Sequence, residues 1–172
     1  MKYIVLNSLR AALILTLLLL DSLQAQPNNR WVRYIDSGGR YDRFWDVFPQ
    51  QNGSFALCGH ANLGGNQNAF WLVTADEEGN EVRQQTYSNG MNGVYSCRGF
   101  SVIQTDDGGY LIGGRSRPPN NQMSFTLVKI NRDFEQEWWQ TYGDGESNQC
   151  QSVIETKAGE FVAGGYDQLE GT

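Results

Sequence analysis

His60 is the one imidazole in the chain and the first residue to test for acid–base or metal chemistry. A general base needs a group to orient it, and a metal ligand needs companions at fixed spacing. No second histidine and no Cys/His spacing pattern accompanies His60, so it reads as a residue of a connecting loop. Asp36, Asp42, Asp46, Asp144 and Glu146 fall in neighbouring loop segments. A calcium loop would need the alternation D-x-D-x-D-G, which is absent, so these carboxylates read as a solvated acidic rim. Gly38-Gly39 and Gly64-Gly65 precede no helix and carry no G-K-[ST], which makes them turns rather than phosphate loops. The cysteines, Cys58, Cys97 and Cys150, form no C-x-x-C pair, so a redox enzyme is unsupported. In an oxidising compartment Cys97–Cys150 or Cys58–Cys97 is a conceivable disulfide, leaving one thiol over. No catalytic residue, metal or cofactor is assigned, and the expectation is a non-enzymatic protein.

The aromatic residues suit binding better than catalysis. Flat rings beside polar groups can stack on sugars or anchor a protein partner. Tyr41, Trp45, Tyr95 and Tyr166, together with His60 and Arg115, are the candidate ligand-contacting residues. Trp71, Trp138 and Trp139 lie within expected strands and are expected to pack between structural units.

What positions these residues is an internal repeat. Gly53-Ser54-Phe55-Ala56-Leu57-Cys58-Gly59 aligns with Gly108-Gly109-Tyr110-Leu111-Ile112-Gly113-Gly114, and that with Gly159-Glu160-Phe161-Val162-Ala163-Gly164-Gly165. The offsets are 55 and then 51 residues, and Val47, Val102 and Val153 keep both. Phe70-Trp71-Leu72-Val73 matches Phe125-Thr126-Leu127-Val128, and Gln85-Thr86-Tyr87 matches Gln140-Thr141-Tyr142. Each unit reads as four short strands bounded by Gly, Asn or Asp: 45–50, 54–59, 69–75 and 81–87, then 101–105, 110–114, 124–130 and 135–142, then 152–156 and 161–165. The links at Asn52-Gly53, Asp107-Gly108 and Ala158-Gly159 have hairpin chemistry. Phe134 stands where Gly79 does, so that turn is expected to differ. With this order, one face carries the loops 60–68, 115–123 and 166 onward, and also the connections 36–44, 88–99 and 143–151. Binding is expected there.

Four antiparallel strands in about 50 residues is the size of a β-propeller blade. The expected fold is all-β and β-propeller-like. It has a leading strand over 31–35, blade one over 44–87, blade two over 99–142 and a partial blade three over 151–166. The string SVIQTDDGGYLIGG…FTLVKINRDFEQEWWQTYGDG (101–145) resembles secreted bacterial β-propeller repeat proteins, whose blades read D-G-G-Y, F-x-L-x-K and W-x-x-T-Y-G. That resemblance implies an extracellular binding or scaffold module. Cys58 departs from the usual Gly-Gly pair, and no C-terminal sorting domain is expected from the residues up to Thr172. Two blades and a half do not close a ring, so the chain is expected to belong to a longer protein with further C-terminal blades, to join copies of itself, or to stand as a small open stack of sheets. A propeller hydrolase or dehydrogenase with its catalytic residues elsewhere, or a self-assembling lectin, are the competing expectations.

Composition bounds the partners. Of 172 residues, 13 are Lys or Arg and 19 Asp or Glu, a net charge of −6 that offers nucleic acid no electrostatic footprint. Lys2 and Arg10, the apolar run Ala11–Leu20 and the small residue Ala25 read as a signal peptide over 1–25. Ten residues rise about 15 Å as a helix, roughly half a bilayer's hydrocarbon core, so no membrane span is expected after cleavage. The mature chain, 26–172, is expected to be secreted, periplasmic or at the cell surface, with a protein or a glycan as partner.

Overall fold

The computed structural model describes residues 32–38, 41–65, 67–88, 96–117, 123–143 and 147–168. The chain divides into two units, Met1–Val32 and Arg33–Thr172, and the account below concerns the second. The signal-peptide segment 1–25, Trp31, Tyr95, Asp144 and Glu146 lie outside the described residues.

Among the described residues there is no helix. Ten strands form three antiparallel sheets of four, four and two strands. Sheet one is β1 (Arg43–Pro49), β2 (Phe55–Gly64), β3 (Gln67–Ala75) and β4 (Glu81–Tyr87). Sheet two is β5 (Arg98–Gln104), β6 (Tyr110–Ser116), β7 (Ser124–Ile130) and β8 (Gln136–Tyr142). Sheet three is β9 (Ser147–Glu155) and β10 (Phe161–Gln168). Strands follow one another in space as in sequence. Inner strands such as β3 and β7 are almost continuously buried, while the outer β4 and β8 are largely exposed. That fits runs such as AFWLV and TLVKI, which have apolar residues for both faces, against EVRQQ and QEWWQ, which do not.

Each first strand carries a β-bulge at the same repeat position. Pairing skips Trp45 between Phe44 and Asp46, Phe100 between Gly99 and Ser101, and Gln151 between Cys150 and Ser152. The bulge folds the strand toward its partner and explains the second glycine of each Gly-Gly signature. A Cβ at Gly59 would lie 1.8 Å from the Arg43 carbonyl oxygen; at Gly114, 2.0 Å from that of Arg98; at Gly165, 2.0 Å from that of Gln149. The nearest obstruction is in each case a carbonyl of the glycine's own sheet; at Gly114 the Phe70 ring of sheet one adds a second, at 2.7 Å.

The sheets pack in sequence, with β5 against β1, β2 and β3, and β9 against β5, β6 and β7. A repeated polar clasp joins the first strands. Asp46 Oδ2 accepts the Val102 amide at 2.9 Å, and Ser101 Oγ, one repeat later, accepts that of Val153 at 3.3 Å. Val102 and Val153 are 1% and 3% exposed, whereas Val47, before which no sheet stands among the described residues, is 55% exposed. Burying such a side chain stabilises by about 1.5–3 kcal/mol, so stacking accounts for much of each first strand's stability. The entry into each sheet is also pinned. The Cys97 amide donates to the Asn68 carbonyl and the Asn148 amide to that of Met123.

The cysteines take part in this packing. All three are buried and free, so the conceived Cys97–Cys150 and Cys58–Cys97 bridges are not present. Cys97 is the equivalent of Asn148, and Cys150 that of Gly99, so Cys97 and Cys150 do not hold comparable places. A Cβ at Gly113 would meet Cys150 Sγ at 2.5 Å, so the sulfur of sheet three fills the space over that glycine. At the first interface the residues are exchanged: Cys58 holds the place of Gly113, and Gly99 that of Cys150. Cys58 lies in the apolar cluster between sheets one and two.

Two further expectations change. The turn at Phe134 does not differ from its glycine-containing counterpart. Asp76–Asn80 and Asn131–Glu135 are closed by the same two backbone hydrogen bonds, with φ of 77° at Gly79 and 63° at Phe134. A non-glycine residue in that region costs about 1–3 kcal/mol. The Phe134 ring offsets it by packing edge-on to Tyr110 at 5.5 Å and under the Arg83 guanidinium at 4.4 Å. The described part of the expected leading strand is not a strand. It is held by side chains instead: Arg33 Nε donates to Asn80, Gln84 to the Asp36 carbonyl, and Ile35 packs on the cluster of Ala61, Trp71 and Val73. Trp139 packs between sheets, against Phe70 at 5.1 Å, as expected. Trp138, though partly exposed, also meets the next sheet, its ring centroid 6.1 Å from that of Phe161, whereas Trp71 stacks on Phe44 of its own sheet.

Candidate functional site

The end of each sheet beyond the bulge is built from three repeat positions. The cross-strand pairs there are Arg43–His60, Arg98–Arg115 and Gln149–Tyr166. His60, Arg115 and Tyr166, taken from sequence as loop residues, therefore occupy one and the same place on successive sheets. They sit in strands, because β2, β6 and β10 run past the glycines to Gly64, Ser116 and Gln168. Polar residues such as His60 and Asn62 are paired across to Phe70 and Asn68, so the expected loop 60–68 is mostly hairpin.

The bulged residues link these pairs. Trp45 packs edge-on to Phe100, with ring centroids 5.3 Å apart. The Arg43 guanidinium lies 5.0 Å from the Trp45 ring, and that of Arg115 lies 5.7 Å from the Phe100 ring. Arg115 Nη1 donates to Gln149 Oε1 at 3.1 Å, carrying the layer on to sheet three, where Tyr166 faces Gln149 in register. The result is a row of guanidinium and aromatic groups running across all three sheets.

His60 is fixed within this row. Trp45 Nε1–H donates to His60 Nδ1 at 3.3 Å, and the imidazole donates to the Tyr41 backbone carbonyl. Burial, then the Arg98 and Arg43 cations, hold its pKa below the ordinary histidine value. Tyr41 contributes its carbonyl to this arrangement; its ring is exposed. The acidic rim is not simply solvated. Asp42 accepts the amide and hydroxyl of Ser37 and the amide of Asn62, and Asp46 accepts two amides, so both are structural. Among the described residues, no group of three or more His, Cys, Asp or Glu is arranged to hold a metal ion.

Arg98 and Arg115 are the least expected pair. Like charges directly across a sheet are destabilising. Arg117 follows on the same side, and burial with the Arg98 and Arg117 cations lowers the Arg115 pKa. Among the described residues, no carboxylate stands within ion-pair distance of Arg43, Arg98, Arg115 or Arg117. The Nε atoms of Arg98, Arg115 and Arg117 are buried without a hydrogen bond. Sequence reasoning selected Arg115 and missed Arg43, Arg98, Phe100 and Gln149. The available signal was their spacing, since 43 to 98 and 45 to 100 are both one repeat.

Compared with known proteins, the chain matches no protein-family model and no curated protein. Among the described residues, no helix is long and apolar enough to cross a membrane.

Proposed function

We propose that the chain is an exported, non-enzymatic β-propeller-type module that binds a protein or a glycan through the arginine–aromatic row, with an acidic group of the ligand as its anchor. One observation carries the reading. In a chain of net charge −6, four arginines gather with Trp45, Phe100 and Tyr166, and among the described residues none has a carboxylate partner. Guanidinium forks fit carboxylate, sulfate and phosphate oxygens, and neighbouring rings stack on a sugar or peptide face. The ring architecture is supported by three sheets of one repeat that pack first strand to first strand through the same clasp. Export is supported by the run Ala11–Leu20 behind Lys2 and Arg10. The kinship with secreted bacterial propeller repeats rests on the D-G-G-Y, F-x-L-x-K and W-x-x-T-Y-G strings.

The test is an array of uronate- and sulfate-bearing glycans, neutral glycans and acidic peptides, probed with the purified chain. Acidic members should bind, more weakly as salt rises. The double variant Arg98→Gln/Arg115→Gln should lose at least tenfold in affinity while keeping its circular dichroism. Silence across all acidic members, or binding indifferent to the double variant, would overturn the reading.

A further inference from the structure

Three arginines of the row differ from the fourth. Arg98 and Arg115 are paired directly across β5 and β6, and Arg117 follows two residues after Arg115, on the same side of the sheet. Their nearness shows in Arg115, whose pKa is lowered by burial and then by the Arg98 and Arg117 cations. All three are half-buried, and in each the Nε atom is shut off from solvent without a hydrogen bond. Arg43 is exposed and lies over the Trp45 ring instead.

A buried donor without a partner is costly, more so on a charged group. Repulsion between Arg98 and Arg115 adds to that cost. The hydrogen bond from Arg115 Nη1 to Gln149 Oε1, at 3.1 Å, goes to a neutral amide and compensates none of the charge. Packing alone gives no reason to gather three such groups; an anion does.

Charge and geometry select the anion. A carboxylate brings one charge and two oxygens, which a single guanidinium fork engages. A sulfate ester brings three oxygens but still one charge. A phosphate monoester brings three terminal oxygens and a charge of about −1.5 to −2 at pH 7, so it meets several forks at once and offsets more of the charge. Arginine clusters read phosphate groups in this way elsewhere. Beside the cluster, Phe100 lies 5.7 Å from the Arg115 guanidinium and edge-on to Trp45 at 5.3 Å, and Trp45 is 41% exposed. An open ring there suits the carbon face of a sugar.

We infer that Arg98, Arg115 and Arg117 form a phosphate site, and that the ligand of the row is a phosphorylated sugar held by its phosphoryl group. The three guanidinium groups share the phosphoryl oxygens, Gln149 orients that of Arg115, and Trp45 borders the sugar. This rests on the binding role proposed above for the row and names its ligand class.

The test is isothermal titration calorimetry of the full chain with glucose-6-phosphate. Inorganic phosphate, glucose-6-sulfate, glucuronate and a phosphoserine peptide form separate arms. Glucose-6-phosphate should bind most tightly, inorganic phosphate next, and the sulfate and uronate about tenfold more weakly than glucose-6-phosphate. Its affinity should fall roughly tenfold from about pH 7.5 to about pH 5, as the phosphoryl group gains its second proton near pH 6. Any charge that His60 gains beside Arg98 over that range acts in the opposite sense. Arg98→Gln and Arg117→Gln should each lose roughly tenfold. Arg132→Gln, in the exposed turn at the opposite end of sheet two, should match the parent. Circular dichroism should be unchanged in all three. The inference fails if the sulfate or uronate binds as well as glucose-6-phosphate, or if the phosphoserine peptide binds more tightly. It also fails if affinity does not fall with pH, or if Arg117→Gln binds like the parent. An acidic ligand still bound at the row would then leave the broader reading standing, whereas silence of every acidic arm and of the array sinks both.

Discussion

Tyr87 and Tyr142 hold the same place in successive sheets, opposite Phe70 and Phe125, yet Tyr87 is 6% exposed and Tyr142 49%. The Tyr87 hydroxyl donates to a carbonyl of the next sheet, while Tyr142 faces an open cavity. Removing the two hydroxyls should therefore have unequal effects. Tyr87→Phe is expected to cost about 1 kcal/mol and Tyr142→Phe less than about 0.5 kcal/mol, as read from urea denaturation midpoints. Equal effects would mean that the two sheets are not packed as described.

The glycines divide in the same way. At Gly114 a Cβ would strike the Arg98 carbonyl, whereas at Gly164 it would meet nothing within 4 Å. Gly114→Ala should destabilise by about 2–3 kcal/mol, and Gly164→Ala should stay within about 0.5 kcal/mol of the parent. Thermal unfolding of the two variants decides the matter, and a tolerated Gly114→Ala would argue against the bulge at Phe100.

Acid should weaken the second sheet through Asp107. Lys129 Nζ, itself buried, lies 2.8 Å from Asp107 and 3.0 Å from Glu137. The hydrogen bond from Lys129, then that from Thr105, hold the Asp107 pKa at about 2, below the ordinary 3.8. The folded state thus binds this proton less readily than the unfolded chain. The stabilisation is complete above about pH 3.8 and is lost as pH falls toward about 2. Asp107→Asn should flatten the stability curve across that window, and an unchanged slope would remove Asp107 from the account.

The thiols should be silent in the native protein. Burial raises the pKa of Cys97 to about 12 and of Cys150 to about 11, and raises that of Cys58 as well. The thiolate is the reactive form, so a disulfide reagent at mildly alkaline pH should modify none of them until denaturant is added. Rapid labelling of the folded chain would contradict the burial of the inter-sheet clusters.

The repeat period and the strand pattern were legible because apolar residues recur at the same offsets between turn residues. The bulge at Trp45, Phe100 and Gln151 was not, since one extra residue on one strand leaves no gap in a repeat-to-repeat alignment. Without the bulge the pattern ends β2 and β6 at their glycines and leaves His60 and Arg115 in loops; with it, both residues fall within strands. Phe134 was misjudged because a steric rule about its own backbone outweighed a contact from Arg83, a residue 51 positions earlier. The arginine row needed register, which only paired strands supply.

The exchange of sulfur and glycine between the two interfaces bears on how a repetitive chain avoids assembling out of order. Near-identical units invite mispairing during folding. Were sheet one to stack directly on sheet three, Cys58 and Cys150 would compete for the room of one side chain. Were sheet two to meet another copy of itself, the space over Gly113 that Cys150 Sγ fills would stand empty. Each unit thus carries a size code that only its proper successor completes, written in residues that have no part in recognising a ligand.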